Sequence, residues 1–540
     1  MLFDYIIVGA GSAGCVLAHR LSEDPANAVL LIEAGAKDNK LEIHIPAAYS
    51  KLNRSSVDWA FYSEPQEVLG GRRLFQPRGK TLGGSSSTNA MAYIRGNAED
   101  YNDWATLGCQ GWSYEDVLPY FIKSENNEDY EKLNPKYHGK GGLLNVRSAY
   151  THYSVSEHFI QACIEAGIPF NPDFNGEQQD GTNFFQFTIK DFKRHSTASA
   201  FLNPAKKRKN LRIITKSIVS RVIIEECRAK GVEILTGKNT TEKIFAQKEV
   251  ILSAGAFGSP QILMLSGVGD VHFLKSLGIE VKKNLPGVGQ NLQDHCFAIV
   301  SSTSKVATAN HDLKIHRQIK SIVEYLLFKK GIATSSPLEA NAFLRVNNES
   351  DRPDMQFHFV PAHLGGYDKD LYDLNTYTRS NGYSILATLL QPKSRGYVSI
   401  SSKNPKDAPI IQPNYLQKNE DKNTLIRGLQ KAHEVMQGKS FDKCRETLYF
   451  PKNIDDKELL WQHIQRTLEC VYHPVGTCKM GSENDESSVV NSFLQVKGIE
   501  NLRVIDASIM PKIISGNTNA PTIMIAEKGA DMILGKQRSS

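Results

Sequence analysis

Hydrophobic residues in this chain fall into short unbroken blocks at some places and into alternating or helical patterns at others. Tyr5-Ile6-Ile7-Val8, Val29-Leu30-Leu31-Ile32 and Val250-Ile251-Leu252 are continuous apolar runs, each followed by a glycine or a polar residue. Runs of that length predict strands buried on both faces, as in a parallel sheet. Shorter patterned stretches at 211–215, 219–225, 231–235 and 244–246 predict a small antiparallel unit. Between residues 300 and 460, strand-like runs at 355–360, 383–390 and 396–401 interleave with helical ones at 318–329 and 423–436, which predicts a separate domain carrying its own sheet. Helix ends are marked chemically. Ser113 with Asp116 three residues on predicts a helix start. Gly167 closes a helix over 154–167. Ser259 as N-cap, Pro260 in the first turn and Gly267 as terminator bound another. A last helix is predicted over 522–534. Residues 38–75 read as irregular and 125–142 as polar surface loop, with Trp59, Phe61 and Tyr62 as core or interface aromatics. The fold class is α/β: a Rossmann-like domain beside an α+β domain built on an antiparallel sheet.

The first strand runs directly into Gly9-Ala10-Gly11-Ser12-Ala13-Gly14, and a helix is predicted over 15–22. In G-x-G-x-x-G the first glycine permits a tight turn, the second lets backbone approach a pyrophosphate, and the third lets helix and strand pack closely. The helix N-terminus offers free N–H groups to phosphate. Glu33, at the end of the second strand, stands where an acid can accept hydrogen bonds from ribose hydroxyls. Strand, loop, helix and acid together predict a dinucleotide site.

Size and charge narrow the rest. The chain has 540 residues, 40% hydrophobic and 23% charged, enough for two or three packed domains. A formal net charge of +6 gives no reason to expect nucleic acid. Lys206-Lys207-Arg208-Lys209 is the one local basic run noted, read as a solvated turn before a strand, with an acidic lipid surface as the alternative. No apolar run reaches about eighteen residues, the nucleotide strand begins at residue 3 or 4, and eight cysteines show neither C-x-x-C nor metal-like spacing. These features predict no metal, free thiols and a cytoplasmic location, with peripheral contact on the inner face of the cell membrane left open.

Two further stretches carry information. Residues 78–91, Arg-Gly-Lys-Thr-Leu-Gly-Gly-Ser-Ser-Ser-Thr-Asn-Ala-Met, pack small residues densely enough for a backbone to lie against a flat or phosphate-bearing ligand. Residues 249–269 take a buried strand through a glycine turn into the helix at Pro260. Near the C-terminus, Tyr472-His473-Pro474-Val475-Gly476 and Gly516-Asn517-Thr518-Asn519-Ala520-Pro521-Thr522 frame a short strand ending in Asp506-Ala507.

Residues 5–35, 78–95, 255–269 and 472–530 together resemble the glucose-methanol-choline (GMC) oxidoreductases, FAD enzymes that oxidise alcohols, and the similarity runs the length of the chain. Within that family the chain is similar to bacterial choline dehydrogenases and membrane-associated aliphatic alcohol dehydrogenases. The resemblance implies an FAD-binding domain from residues 1–150, 195–300 and 465–540, and a substrate domain from 151–194 and 301–464. It implies that Glu33 holds the adenosine ribose, that Gly83, Gly84, Asn89 and Met91 lie along pyrophosphate and flavin, that Val219 touches the adenine end, and that Asp506 faces the ribityl or pyrophosphate region. Gly9, Gly11, Ser12, Ala13, Gly14, Ala34, Gly79, Ser85, Ala90, Ala507, Asn517, Asn519 and Thr522 complete the expected cofactor set. Thr88 stands where some oxidases of the family carry a histidine bonded to flavin, so the FAD here is expected to be non-covalent.

The expected catalytic pair is His473 and Asn517, forty-four residues apart as in the family. Imidazole suits proton acceptance near neutral pH. His473 is expected to take the hydroxyl proton of a primary alcohol while hydride passes to flavin N5, giving the aldehyde, and Asn517 to position the substrate oxygen. Pro521 near the start of the last helix would aim free N–H groups at the flavin edge that becomes anionic. Glu339 and Tyr472 are candidates to face substrate, Glu339 because it resembles a carboxylate that choline-oxidising relatives place near the trimethylammonium group. His295 reads as structural or as shaping the site. Electrons are expected to pass to a quinone-like acceptor. The competing readings are a choline dehydrogenase, an oxygen-using oxidase, a cyanohydrin-cleaving lyase and an NAD-dependent dehydrogenase.

Overall fold

A computed structural model describes residues 2–236, 240–364, 367, 370, 371, 380–451 and 453–536. Two seven-stranded sheets dominate it. The first is ordered Leu211–Ile214, Val29–Ile32, Leu2–Val8, Thr241–Leu252, Arg228–Leu235, Ile218–Glu225, with Leu502–Val504 beside Thr241–Leu252. Its continuous apolar runs pair in parallel, Tyr5–Val8 lying between Val29–Ile32 and Glu249–Leu252. Ile6, Ile7, Leu30, Leu31, Ile251 and Leu252 are fully buried. Helices Ser12–Leu21 and Asn519–Ile533 pack against each other, and their apolar side chains belong to the same core as this sheet.

The antiparallel unit expected over 211–246 is not separate. Leu211–Ile214 joins Val29–Ile32 in parallel, and residues 244–246 and 249–252 form one strand, Thr241–Leu252. Its first half pairs antiparallel with Arg228–Leu235 and its second half pairs parallel with Leu502–Val504. Lys248 and Glu249, polar residues in mid-strand, hid that continuity: Arg503 reaches Glu249 at 2.7 Å, so the break in the apolar pattern is an ion pair and not a turn.

The second sheet is antiparallel, ordered Arg445–Phe450, Cys296–Ser304, Gly382–Leu389, Met355–Val360, Ala340–Leu344, Gly181–Phe184, with Glu469–Cys470 against Cys296–Ser304. The boundaries expected at 300 and 465 cut this sheet, because Cys296–Ser304 and Glu469–Cys470 both belong to it. Side chains alternate across its faces. Cys296, Ala298, Val300, Met355, Phe357, Phe359, Ile385 and Ala387 share one apolar cluster with residues of helices Asn419–Met436 and Ser154–Glu165. Phe297, Ile299, Val360 and Leu386 join a different cluster; Phe297, Val360 and Leu386 line the large cavity.

Two local expectations are corrected. The helix after Leu252 is Gly255–Leu265, so Pro260 lies inside it and Ser259 is not its N-cap. Pro260 has no N–H for the Ala256 carbonyl, and the Thr477 hydroxyl donates to that oxygen instead at 2.6 Å. Residues 125–142 are not simply surface: Glu125 and His138 are buried, and Glu125 pairs with the buried Arg95 at 2.9 Å. The capping box at Ser113 and Asp116 is present as expected.

Candidate active site

Glycine geometry builds the floor of a cavity of about 1540 Å³. Gly9 has φ +98, and a Cβ there would lie 2.5 Å from the Ser253 carbonyl oxygen. A Cβ on Gly14 would sit 1.8 Å from the Gly9 oxygen, and one on Gly84 would meet Gly11 Cα at 2.7 Å. The 9–14 loop and the 83–85 turn therefore cross in contact, and the Gly83 N–H donates to the Ala10 carbonyl at 2.7 Å. Gly9, Gly11, Ser12, Ala13, Gly84 and Ser85 line the cavity. Gly14 and Gly83 do not: they stand behind its wall, where a Cβ on Gly14 would meet the Gly9 oxygen and one on Gly83 the Ser87 hydroxyl at 2.1 Å. For Gly83 this replaces the expectation of ligand contact.

Glu33 is 5% exposed, and its carboxylate accepts from the Ala10 and Gly35 N–H groups at 2.9 and 2.8 Å. Burial pushes its acid up to about 7. Ser12 donates to Asn519 Oδ1 at 2.8 Å, tying together the first turns of the two helices whose starts line the cavity. Ala34, Gly79, Asn89, Ala90, Met91, Val219, Ala507, Asn519 and Thr522 line it. Asp506 lines it too, but its oxygens are engaged by the Gly255 N–H, the Ser259 hydroxyl and the Ser508 N–H. It braces the helix start at Gly255 against the last strand. Trp59, Phe61 and Tyr62, expected in core or interface, line the cavity as well, with Trp59 stacked on Phe61 at 5.5 Å.

At the other end the cavity meets a histidine pair. His473 sits after Tyr472, whose φ is +66, in the left-handed region that disfavours bulky residues. Arg78 holds the Tyr472 carbonyl at 2.5 Å, and Asp294 accepts the His473 N–H at 2.7 Å. Tyr415 donates to the other Asp294 oxygen at 2.6 Å. His473 Nδ1 faces His295 Nδ1 at 3.0 Å, and His295 Nε2 faces the Leu390 carbonyl at 3.0 Å. Burial holds His295 down at about 4 and His473 well below 6.5, the latter helped by His295, His358 and Arg78. Both rings are therefore neutral at pH 7, which fixes their protons. A carbonyl only accepts, so His295 carries its hydrogen on Nε2 and offers a lone pair at Nδ1. His473 must donate from Nδ1, leaving its Nε2 lone pair as an acceptor turned toward Asn517. Asn517 Nδ2 lies 3.3 Å from that Nε2, and Asn517 Oδ1 is buried without a partner.

The wall on this side is apolar: Phe297, Leu338, Val360, Leu364, Leu386 and Val471 line it, with the neutral His358 among them. Tyr472 lines the cavity. Glu339 does not. Its carboxyl accepts from Tyr153 N–H at 2.9 Å and Ser156 hydroxyl at 2.5 Å, at the start of helix Ser154–Glu165, and burial pushes it up to about 8. The acid on the substrate side is Asp312, which lines the cavity and accepts the Tyr153 hydroxyl at 2.6 Å. Sequence reasoning left His295 undecided and missed Asp294, Arg78 and His358. His358 was recoverable, since alternation along the strand Met355–Val360 puts it on the face opposite Phe357 and Phe359.

The residues present fit a dinucleotide. The volume exceeds the roughly 300–1,000 Å³ of a single small-molecule site, and the floor combines a backbone loop, two helix starts and a buried acid, while the far end holds an unpartnered amide oxygen.

Comparison with known proteins agrees. The chain matches the family described as GMC oxidoreductase over residues 3–297 and 392–526. It is 44% identical to an alcohol dehydrogenase [acceptor] of Pseudomonas putida, across 99% of this chain and 96% of that one. It is 41% identical to the mitochondrial choline dehydrogenase of Homo sapiens, across 99% and 90%. Among solved structures it superposes on pyridoxine 4-oxidase from Mesorbium loti with a TM-score of 0.88 at 30% identity, covering 98% of each chain. A formate oxidase superposes with a TM-score of 0.90 at 26% identity, covering 99% of each. The chain belongs to the GMC oxidoreductase family and is an FAD-dependent oxidoreductase of alcohols.

Proposed function

We propose that the protein oxidises an uncharged primary alcohol with an apolar chain to the aldehyde, with His473 as the base and a quinone-like acceptor taking the electrons. The observation that carries this reading is the neutral His473, its Nε2 lone pair aimed beside Asn517 at the foot of an apolar wall. Bound FAD supplies the two-electron acceptor for the carbinol hydride. The chain's own residues do the rest. The substrate hydroxyl displaces the long 3.3 Å contact and donates to His473 Nε2. The freed Asn517 N–H turns to the substrate oxygen and holds the carbon in place. As the O–H proton moves to Nε2, the His473 Nδ1–H bond to His295 strengthens, because a charged donor makes the stronger hydrogen bond. Arg78, Asp294 and Tyr415 keep the backbone of 472–473 in its strained turn. The apolar wall excludes water from the developing charge.

In the same reading, Gly9, Gly11, Ser12, Ala13, Gly84 and Ser85 would hold the pyrophosphate, Glu33 and Val219 the adenosine end, and Asn89, Met91, Ala507, Asn519 and Thr522 the flavin end, with Thr88 forming no covalent bond. The first sheet and its helices make the cofactor half and the antiparallel sheet the substrate half. A cytoplasmic location with contact on the inner membrane face belongs to this reading.

A choline-type substrate is the second reading, favoured by Asp312 on the cavity wall. Against it, Glu339 is turned away and, among the described residues, the wall near His473 sets Phe297 and Tyr472 into the cavity, fewer rings than an aromatic cage for a quaternary ammonium. An anaerobic screen separates the two: linear alcohols should bleach the flavin absorbance at low concentration and choline should not. Bleaching by choline alone would overturn the first reading, and a flavin reduced by no alcohol tested would overturn both.

A further inference from the structure

The helix Ile315–Phe328 is turned inside out. An amphipathic helix on a globular protein normally buries its apolar stripe and exposes its polar one. Here Tyr325 is the one buried side chain, with the part-buried Ser321 and Gln318 one and two turns before it. The apolar stripe instead faces outward: Ile315 is 77% exposed, Leu327 70%, Phe328 63% and Ile319 58%, and Ile322, Val323 and Leu326 are exposed with them. Seven of the eighteen large apolar side chains exposed among the described residues sit on this single helix. An apolar face of this extent on one exposed element marks an interaction surface.

Charge indicates what covers it. Residues 314–330 carry Lys314, Arg317, Lys320, Lys329 and Lys330 against a single acid, Glu324, in a chain whose whole formal net charge is +6. Lys320 pairs with Glu324 at 3.6 Å, which leaves the other cations in excess around the apolar stripe. A basic rim around an outward apolar stripe is the pattern of a helix lying in a bilayer interface, its aliphatic side chains among the acyl chains and its lysines reaching back to anionic headgroups. A second copy of the chain is the poorer occupant, since a two-fold contact would set this cationic rim against itself. The element is about 21 Å long at 1.5 Å per residue, and no helix among the described residues is long and apolar enough to cross a membrane.

Its position gives the surface a use. Gln318, Ser321 and Ile322 line the large cavity, with Leu313 just before and Ile332 and Ala333 just after. The segment Ile332–Thr334 packs on Pro46–Leu52, and Leu41, 59% exposed, lines the cavity on that side. We propose that helix Ile315–Phe328 docks the enzyme on an anionic lipid surface, with the cavity entrance beside it opening toward the bilayer. An apolar alcohol then enters from the lipid phase. The docking deepens the peripheral membrane contact of the function proposed above by naming the element that makes it, and the entry of an alcohol rests on the substrate proposed there.

Vesicle co-sedimentation of the flavin-loaded enzyme tests the docking. With vesicles of phosphatidylcholine and phosphatidylglycerol at 7:3, the wild type should sediment, and pure phosphatidylcholine should retain it at least fivefold less. The variant Ile319→Gln/Leu326→Gln/Leu327→Gln replaces no residue that lines the cavity. It should keep its flavin spectrum and its turnover of a short water-soluble alcohol, and should lose vesicle affinity at least tenfold. Equal sedimentation of variant and wild type would overturn the proposal. So would a wild type that ignores both vesicles yet elutes as a dimer that the same variant dissociates, which would assign the face to a second copy. Turnover of the soluble alcohol, measured without vesicles, reports on the proposed function independently.

Discussion

The floor and the far wall of the cavity are built by opposite means. The floor is backbone: Gly84 lies against Gly11 where two loops meet, Gly9 and Gly14 admit the Ser253 and Gly9 carbonyls, and N–H groups satisfy Glu33. The far wall is side chain: His295, His473 and Asn517 come from three separate segments and are ordered by one chain of hydrogen bonds ending on the Leu390 carbonyl. The floor therefore cannot accept an added Cβ, whereas the wall cannot accept a lost ring nitrogen. A pyrophosphate needs close approach and many weak donors, which bare backbone gives. Proton transfer needs one basic atom at a fixed place, which only a positioned side chain gives.

That contrast can be broken at several points. The largest effect is expected from Gly14→Val, whose Cβ would lie 1.8 Å from a backbone oxygen: the protein should purify without flavin, read from its visible absorbance. Next is His473→Ala. It should retain flavin but slow its anaerobic reduction by about 10²–10⁴-fold, the usual worth of a general base; unchanged stopped-flow rates would remove His473 from the mechanism. His295→Phe keeps the volume and removes the acceptor for His473 Nδ1–H. Misplacing the base in this way should cost on the order of 10²-fold in kcat with KM nearly constant. The pH profile should show the same ring chemistry more gently. A base is active when deprotonated, and burial holds His473 well below 6.5. The profile of kcat/KM should stay flat as pH falls through 6.5 and decline only below it, whereas a solvent-exposed histidine would give its limb near 6.5. The smallest effect is expected from Glu339→Gln. The carboxyl is pushed up to about 8 and is therefore mostly protonated at pH 7, so the amide mimics it. KM for alcohols should change less than about twofold, within the small effect of a near-isosteric swap.

How much of this was visible in the chain varies by residue. Gly9, Gly11, Gly14 and Glu33 could be placed because strand, turn, helix and acid are neighbours in sequence, and local sterics decide their arrangement. His473 and Asn517 were named through the family resemblance, and the structure brings them to 3.3 Å. Glu339 was misplaced because a buried carboxyl can serve a helix start as readily as a ligand, and its sequence surroundings do not distinguish the two. Gly83 was misplaced for a similar reason, since a glycine in a ligand-binding loop can face the ligand or back the wall. The outward stripe of helix Ile315–Phe328 could not be read at all from the pattern, because periodicity gives a helix an apolar face without saying which way the face points.

The sequence by itself determined the elements whose cause lies within a few residues: the buried parallel strands, the glycine turns, the capped helix at Ser113 and the two-sheet α/β architecture. Tertiary structure alone decided the protonation of His473, the retirement of Glu339 from the site and the direction of the exposed helix. Each of those depends on a partner far away in the chain, such as His295, 178 positions from His473, and a hydrogen bond or a buried face exists only once folding has brought both sides together.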